Sequence, residues 1–165
     1  MTKSRIQLLD NVFLTCVPAD KFKTDFLSAQ FITPLRADTA GSNALLPAVL
    51  LRGTETYPDM QRLSAALDNL YGATVGSTLR KRGENQLWGF IATCVDEAFL
   101  PGGARLLEPL ADILGEILCR PVLEGGVLSP AYVVSERANR VDAIRAAIND
   151  KRTFSSRRLL EEMCR

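Results

Sequence analysis

The stretch "ADTAGSNALLPAVLLRGT", residues 37–54, decides the fold, because the period of the chain changes inside it. Upstream, in "KFKTDFLSAQFITPL" (21–35), Phe22, Thr24, Phe26 and Ser28 alternate with Lys23, Asp25, Leu27 and Ala29. That two-residue period predicts a long strand, with its second half the more buried. From residue 37 the pattern turns helical. Asp38 or Thr39 supplies an N-cap and Gly53 the stop. Apolar residues cover nearly the whole circumference, as in a helix buried on most sides. Pro47 lacks the N–H that would bond the carbonyl of Asn43 and costs on the order of 3 kcal/mol inside a helix. A kink or break is expected near 43–47. The alternative is a helix that starts later, with Pro47 in its first turn.

Working outward, "RIQLLDNVFLTCVP" (5–18) reads as strand–turn–strand about Asp10-Asn11. "YPDMQRLSAALDNLYG" (57–72) opens on Asp59 as N-cap. It sets Met60, Leu63, Leu67, Leu70 and Tyr71 on one face before Gly72 ends it. "ATVGSTLRKR" (73–82) and "NQLWGFIATCV" (85–95) form a hairpin around Gly83-Glu84. "ARLLEPLADILGEILC" (104–119) has Leu106, Leu110, Ile113, Leu114, Ile117 and Leu118 at helical spacing, with Pro109 the awkward residue. Ser129-Pro130 marks another helix start, an N-cap followed by proline at the first position. That helix runs to about Asn149 with Val134, Ala138, Val141, Ile144 and Ile148 inside. A last amphipathic segment, "TFSSRRLLEEMCR", closes the chain. Strands paired through hairpins and helices in runs give an α+β class: an antiparallel-rich sheet with helices packed on one face.

Composition narrows the function. With 165 residues, 47% hydrophobic and 24% charged, the chain is an ordinary globular domain. A formal net charge of +1 leaves no electrostatic footprint for nucleic acid or an anionic membrane. No apolar run approaches the roughly 20 residues of a bilayer span, and the N-terminus lacks the apolar core of a signal peptide. A cytoplasmic location is expected. Cys16, Cys94, Cys119 and Cys164 have no metal or redox spacing and read as small buried hydrophobes in a reducing compartment. The chain has no histidine. That removes the commonest general base, the commonest zinc ligand and any Ser-His or Cys-His pair. Carboxylates, Lys and Tyr remain.

Four segments carry a resemblance: "NVFLTCVPADKFKT" near the start, "LLRGTETYPD" after the first helix, "LDNLYGA" ending the second, and "SERANRVDAIRAAINDK" in the long one. Together they make the chain resemble the N-terminal domain of the insulinase/pitrilysin peptidases. These are the inverted zincins that include mitochondrial processing peptidase. The likeness is nearest to bacterial insulinase-like proteins associated with modification of elongation factor P. It implies a single N-terminal domain over 1–165. Because the chain stops on a charged amphipathic helix with no terminal cap, truncation at the C-terminus is expected.

In active members the first helix resembles H-x-x-E-H followed by apolar residues and Gly-Thr. Two His at i and i+4 share a helix face and can chelate one Zn²⁺, while the Glu takes a proton from metal-bound water. A Glu from the long later helix completes the ligand set. Counting back from Gly53-Thr54, the resemblance puts the His positions on Ala44 and Ala48 and the base on Pro47. In an E-x6-E pattern, Glu136 keeps the first carboxylate and the third ligand falls on Ala143. The implied site is degenerate, with no metal, no cofactor and no catalytic residue. Alanine at a former ligand position leaves no buried polar group unpaired.

Other residues have blander readings. Glu136 reads as a solvated or salt-bridged charge and the basic tip "TLRKRGE" (78–84) as a solvated turn. Trp88 and Phe90 read as core or interface, and the Gly125-Gly126 loop is no phosphate cradle. The implied role is that of a non-catalytic subunit. Its expected partners are a zinc-binding paralogue with the intact motif and an extended peptide, the peptide adding to the strand at 85–95. The alternative is a scaffold or assembly protein without peptide binding, linked to translation-factor modification. A zinc peptidase with ligands from elsewhere is the remaining reading.

Overall fold

The computed structural model describes residues 4–164. Its class is the α+β one expected. β1 (Ser4–Leu9) and β2 (Val12–Cys16) form a separate hairpin. Asn11 takes the left-handed backbone its turn needs, at φ 61°. β3 (Thr24–Pro34), β4 (Thr74–Arg82) and β5 (Asn85–Val95) make an antiparallel sheet in the order β3-β5-β4. Residues 85–95 are therefore the central strand, paired from end to end with β3 on one side and along most of their length with β4 on the other. They offer no free edge to an added peptide, which corrects that expectation. Alternation along the chain could mark the strand but not its neighbours.

Gly89 explains how closely β3 and β5 approach. A Cβ there would lie 2.0 Å from the carbonyl oxygen of Ala29, and its φ of 153° is one that L side chains rarely adopt. Gln86, Phe90, Ala92 and Cys94 of β5 turn to the helices and are buried. On β3, Leu27 and Ala29 face the same way and are half-buried. Its second half is not the more buried: Phe31 and Ile32 are exposed.

Helices α1 (Ala40–Leu50), α2 (Met60–Asn69) and α3 (Leu107–Cys119) cover that face. Leu50, Leu63, Phe90, Ile113, Leu114 and Ile117 form one cluster, continued by Ala73, Ala92, Cys94, Leu106 and Leu110. Each fully buried large side chain, such as Phe90, Leu110 or Ile117, removes enough apolar surface to contribute about 2–3 kcal/mol. Asp59 caps α2 as expected, its carboxylate accepting from the Arg62 amide at 2.8 Å. Met60 and Tyr71, however, lie at the ends of α2's stripe and are exposed. Pro109 is not awkward after all. It is the third residue of α3, where its amide has no partner within the helix.

β6 (Leu123–Glu124) and β7 (Val127–Leu128) form a small hairpin through Gly125 and Gly126, both at positive φ. α4 (Pro130–Ala146) and α5 (Lys151–Met163) follow. Ser129 is the N-cap residue of α4 and Pro130 its first, but the Ser129 side chain makes no cap bond. The stripe expected inside α4 faces outward: Val134, Ala138, Val141, Ile144 and Ile148 are all exposed. Among the cysteines only Cys94 is buried. Cys16, Cys119 and Cys164 are exposed, which corrects the reading of all four as core residues. No helix among the described residues is long and apolar enough to cross a membrane.

Candidate functional site

The two helices that the resemblance singles out, α1 and α4, do lie against each other. α1 is continuous from Ala40, so Pro47 neither breaks it nor sits in its first turn. From Asn43 to Leu50 no residue is exposed. Burial of the Pro47 ring offsets the missing backbone bond. A polar network also ties the start of the helix to the sheet. Asn43 Nδ2 donates to Gln86 Oε1 at 3.2 Å and to Thr33 Oγ1 at 3.3 Å, and Gln86 Nε2 donates to the Ala40 carbonyl at 3.0 Å. Gln86 is buried, and these bonds pair its amide.

The Gly53-Thr54 pair fixes the far end of α1. Leu51, not Gly53, is the cap residue. Gly53 is needed for space, since a Cβ there would come within 2.7 Å of the Pro58 backbone. Thr54 is fully buried, with its amide bonded to the Tyr57 carbonyl at 2.7 Å and its hydroxyl accepting from the Tyr57 amide at 2.9 Å. The Glu55 amide donates to the Arg120 carbonyl, and Thr54 bridges Pro121. A small residue and a buried hydroxyl thus lock α1 to the 57–58 turn and to the end of α3.

On α4, Tyr132, Val133, Glu136, Arg140 and Ala143 share one stripe by helical spacing. Contacts settle that this stripe meets α1. Arg52 Nε donates to Glu136 Oε1 at 2.6 Å, its Nη2 pairs with the same oxygen, and Nη2 also donates to Ser135 Oγ at 3.2 Å. The Arg52 guanidinium lies 5.8 Å from the Tyr132 ring centroid. One turn further along α4, Arg140 Nη2 donates to the Ala44 carbonyl at 3.2 Å. Glu136 is 15% exposed and salt-bridged, the second of its two bland readings. Its carboxylate is engaged by a guanidinium rather than open to a ligand.

Ala44 and Ala48 are half-buried on α1, and Ala143 is exposed on α4. Their methyl groups carry no donor atom, and the neighbouring Arg140 brings a fixed positive charge. These residues do not fit a zinc ion. Among the described residues no grouping of three or more His, Cys, Asp or Glu could hold a metal. An open apolar depression of about 250 Å³ lies beside α1, lined by Ser42, Leu46, Val49, Leu128 and Val133 among others. Phe90 is core as expected. Trp88 stacks on Phe31, ring centroids 4.4 Å apart, and its indole Nε1 is buried without a protein partner. Arg80, Lys81 and Arg82 are exposed on the strand leading into the Gly83-Glu84 turn.

Sequence reasoning missed Arg52 and Arg140. Both had a signal: Arg52 immediately precedes the Gly-Thr marker, and Arg140 stands four residues after Glu136 on the same face.

Over 149 residues, 90% of its length, the chain is 38% identical to the "Probable inactive metalloprotease YmfF" of Bacillus subtilis (strain 168). A conserved protein from Enterococcus faecalis V583, known from its crystal structure, superposes with a TM-score of 0.84 at 27% identity over 93% of this chain. The chain spans 35% and 36% of the lengths of these two proteins. No protein-family model matches it.

Proposed function

From a chain that is homologous along most of its length to a metalloprotease-like protein, we infer a non-catalytic insulinase-type domain that serves as partner or chamber wall for a zinc-binding paralogue. The observation that carries this is chemical. On the resemblance, Ala44, Ala48 and Ala143 stand at the three ligand positions and Pro47 at the base. No side chain among these four can bind a metal or move a proton, and Glu136, the carboxylate that the resemblance retains, is held by Arg52. The relative's name, a probable inactive metalloprotease, supports the same reading.

The part in an assembly draws support from the apolar side chains left uncovered on β1, β2, α4 and α5. Metal analysis of the purified protein is expected to find no stoichiometric zinc. Co-purification is expected to recover a paralogue carrying intact H-x-x-E-H. One tightly bound zinc per chain sinks the non-catalytic reading.

One observation favours the scaffold alternative, associated with translation-factor modification. The central position of β5 removes the strand expected to receive peptide, leaving β3 and β4 as the sheet's edges. An extended peptide that bound would have to pair with one of these. Alteration of the outer edge of β4 or β3 that left cleavage by the complex unchanged would favour the scaffold.

A further inference from the structure

No side chain of α4 is buried and its apolar stripe points away from the body, yet the helix lies along α1. Beside the half-buried Tyr132 and Val133, two polar contacts hold it there: Arg52 on Glu136 and, one turn on, Arg140 on the Ala44 carbonyl. We propose that Arg140 and Arg52 form a guanidinium clasp that positions α4 on α1, and that Arg140 at the same time excludes a divalent cation from the cleft between them. The location given to that cleft rests on the reading of Ala44, Ala48 and Ala143 as former ligand positions. The clasp itself does not.

The geometry is specific. Arg140 rises from the stripe that carries Glu136 and Ala143, and it ends on the turn of α1 that carries Ala44 and Ala48. A guanidinium suits this place because it is always charged and presents several donors at once. It can bond a helix carbonyl that already accepts within its own helix, since a carbonyl oxygen has two lone pairs. A cation bridging α1 and α4 would have to approach this fixed charge at close range, in a half-buried setting where screening is weak. One side chain therefore joins the helices and keeps metal out.

Amide hydrogen exchange along α4 tests the clasp, with α3 and β5 as internal controls for folding. Arg140→Met is expected to speed exchange in α4 on the order of tenfold while leaving α3 and β5 unchanged. Arg140→Lys should restore part of the protection. A second measurement reads the charge. Ala44→His, Ala48→His and Ala143→Glu are introduced together, once with Arg140 kept and once with Arg140→Met, and zinc affinity is measured in both. The background without the guanidinium is expected to bind at least about tenfold more tightly. Unchanged α4 exchange in Arg140→Met, or equal zinc affinity in the two backgrounds, overturns the proposal. Either failure leaves the non-catalytic reading standing, because that reading is decided by the metal content of the unaltered protein.

Discussion

Helices α3 and α4 were both expected to bury an apolar stripe and have opposite fates. Each has apolar residues at helical spacing, but α3 is apolar overall and strongly one-sided, whereas in α4 polar residues surround them. In α3 that stripe meets the sheet, and Leu110 and Ile117 are fully buried. In α4 the stripe faces outward, with Val134 at 67% and Ile144 at 63% exposed, and the helix is attached by its polar side instead. The contrast teaches that an apolar stripe states a demand for cover without saying what supplies it. In α3 the sheet meets that demand. In α4 most of the stripe stays uncovered among the described residues, and the side that meets α1 is the one bearing Glu136 and Arg140.

The comparison can be broken by substitution. The largest effect belongs to α3: Ile117→Ala is expected to destabilise by about 3 kcal/mol in denaturant unfolding, since a fully buried side chain leaves a cavity. A loss under about 1 kcal/mol would mean that the α3 interface is looser than its burial indicates. Next comes the attachment of α4. A double-mutant cycle of Arg52→Met with Glu136→Gln should give a coupling of about 1–2 kcal/mol, above the usual value for exposed pairs because both partners are mostly buried.

A smaller effect lies at the far end of β3. Burial chiefly, then the nearby Asp96 and Glu97, raise the Asp25 carboxyl above its ordinary value of 3.8. The folded chain therefore holds this proton more readily than the unfolded one, and the group disfavours folding progressively as pH rises through that range. Asp25→Asn should raise the melting temperature at pH 7 by up to about 2 °C and change nothing below about pH 3. An equal gain at both pH values would assign the effect to packing. The smallest change is on the outward stripe. Ile144→Ser is expected within about 0.5 kcal/mol of the parent in the isolated chain. A loss of 2 kcal/mol or more would show that the α4 stripe is covered in solution, by a second copy for instance.

Much of the fold was legible because its signals are local. The turn at Asn11, the cap at Asp59, the hairpin at Gly83 and the helical period of 104–119 all depend on residues within a few positions of one another. Pro47 was misjudged because its cost is local while its compensation is not. The ring is buried, and Asn43 is anchored through Gln86, a residue 43 positions away. Trp88 shows the same limit. Its β-strand placement follows from alternation, but its stack on Phe31 follows from the β3–β5 register.

The sequence by itself determined that histidine plays no part here: the chain has none, so no folding of it can supply an imidazole ligand or base. Only the tertiary structure decided what α1 meets. It made β5 the central strand, closing it to an added peptide, and it turned the polar stripe of α4 onto α1, so that Arg52 and Arg140 became contacts. The physical reason is that residue type and spacing are properties of the local chain. Which side of a helix is covered depends on the long-range pairing of strands and on where the covering surface lies.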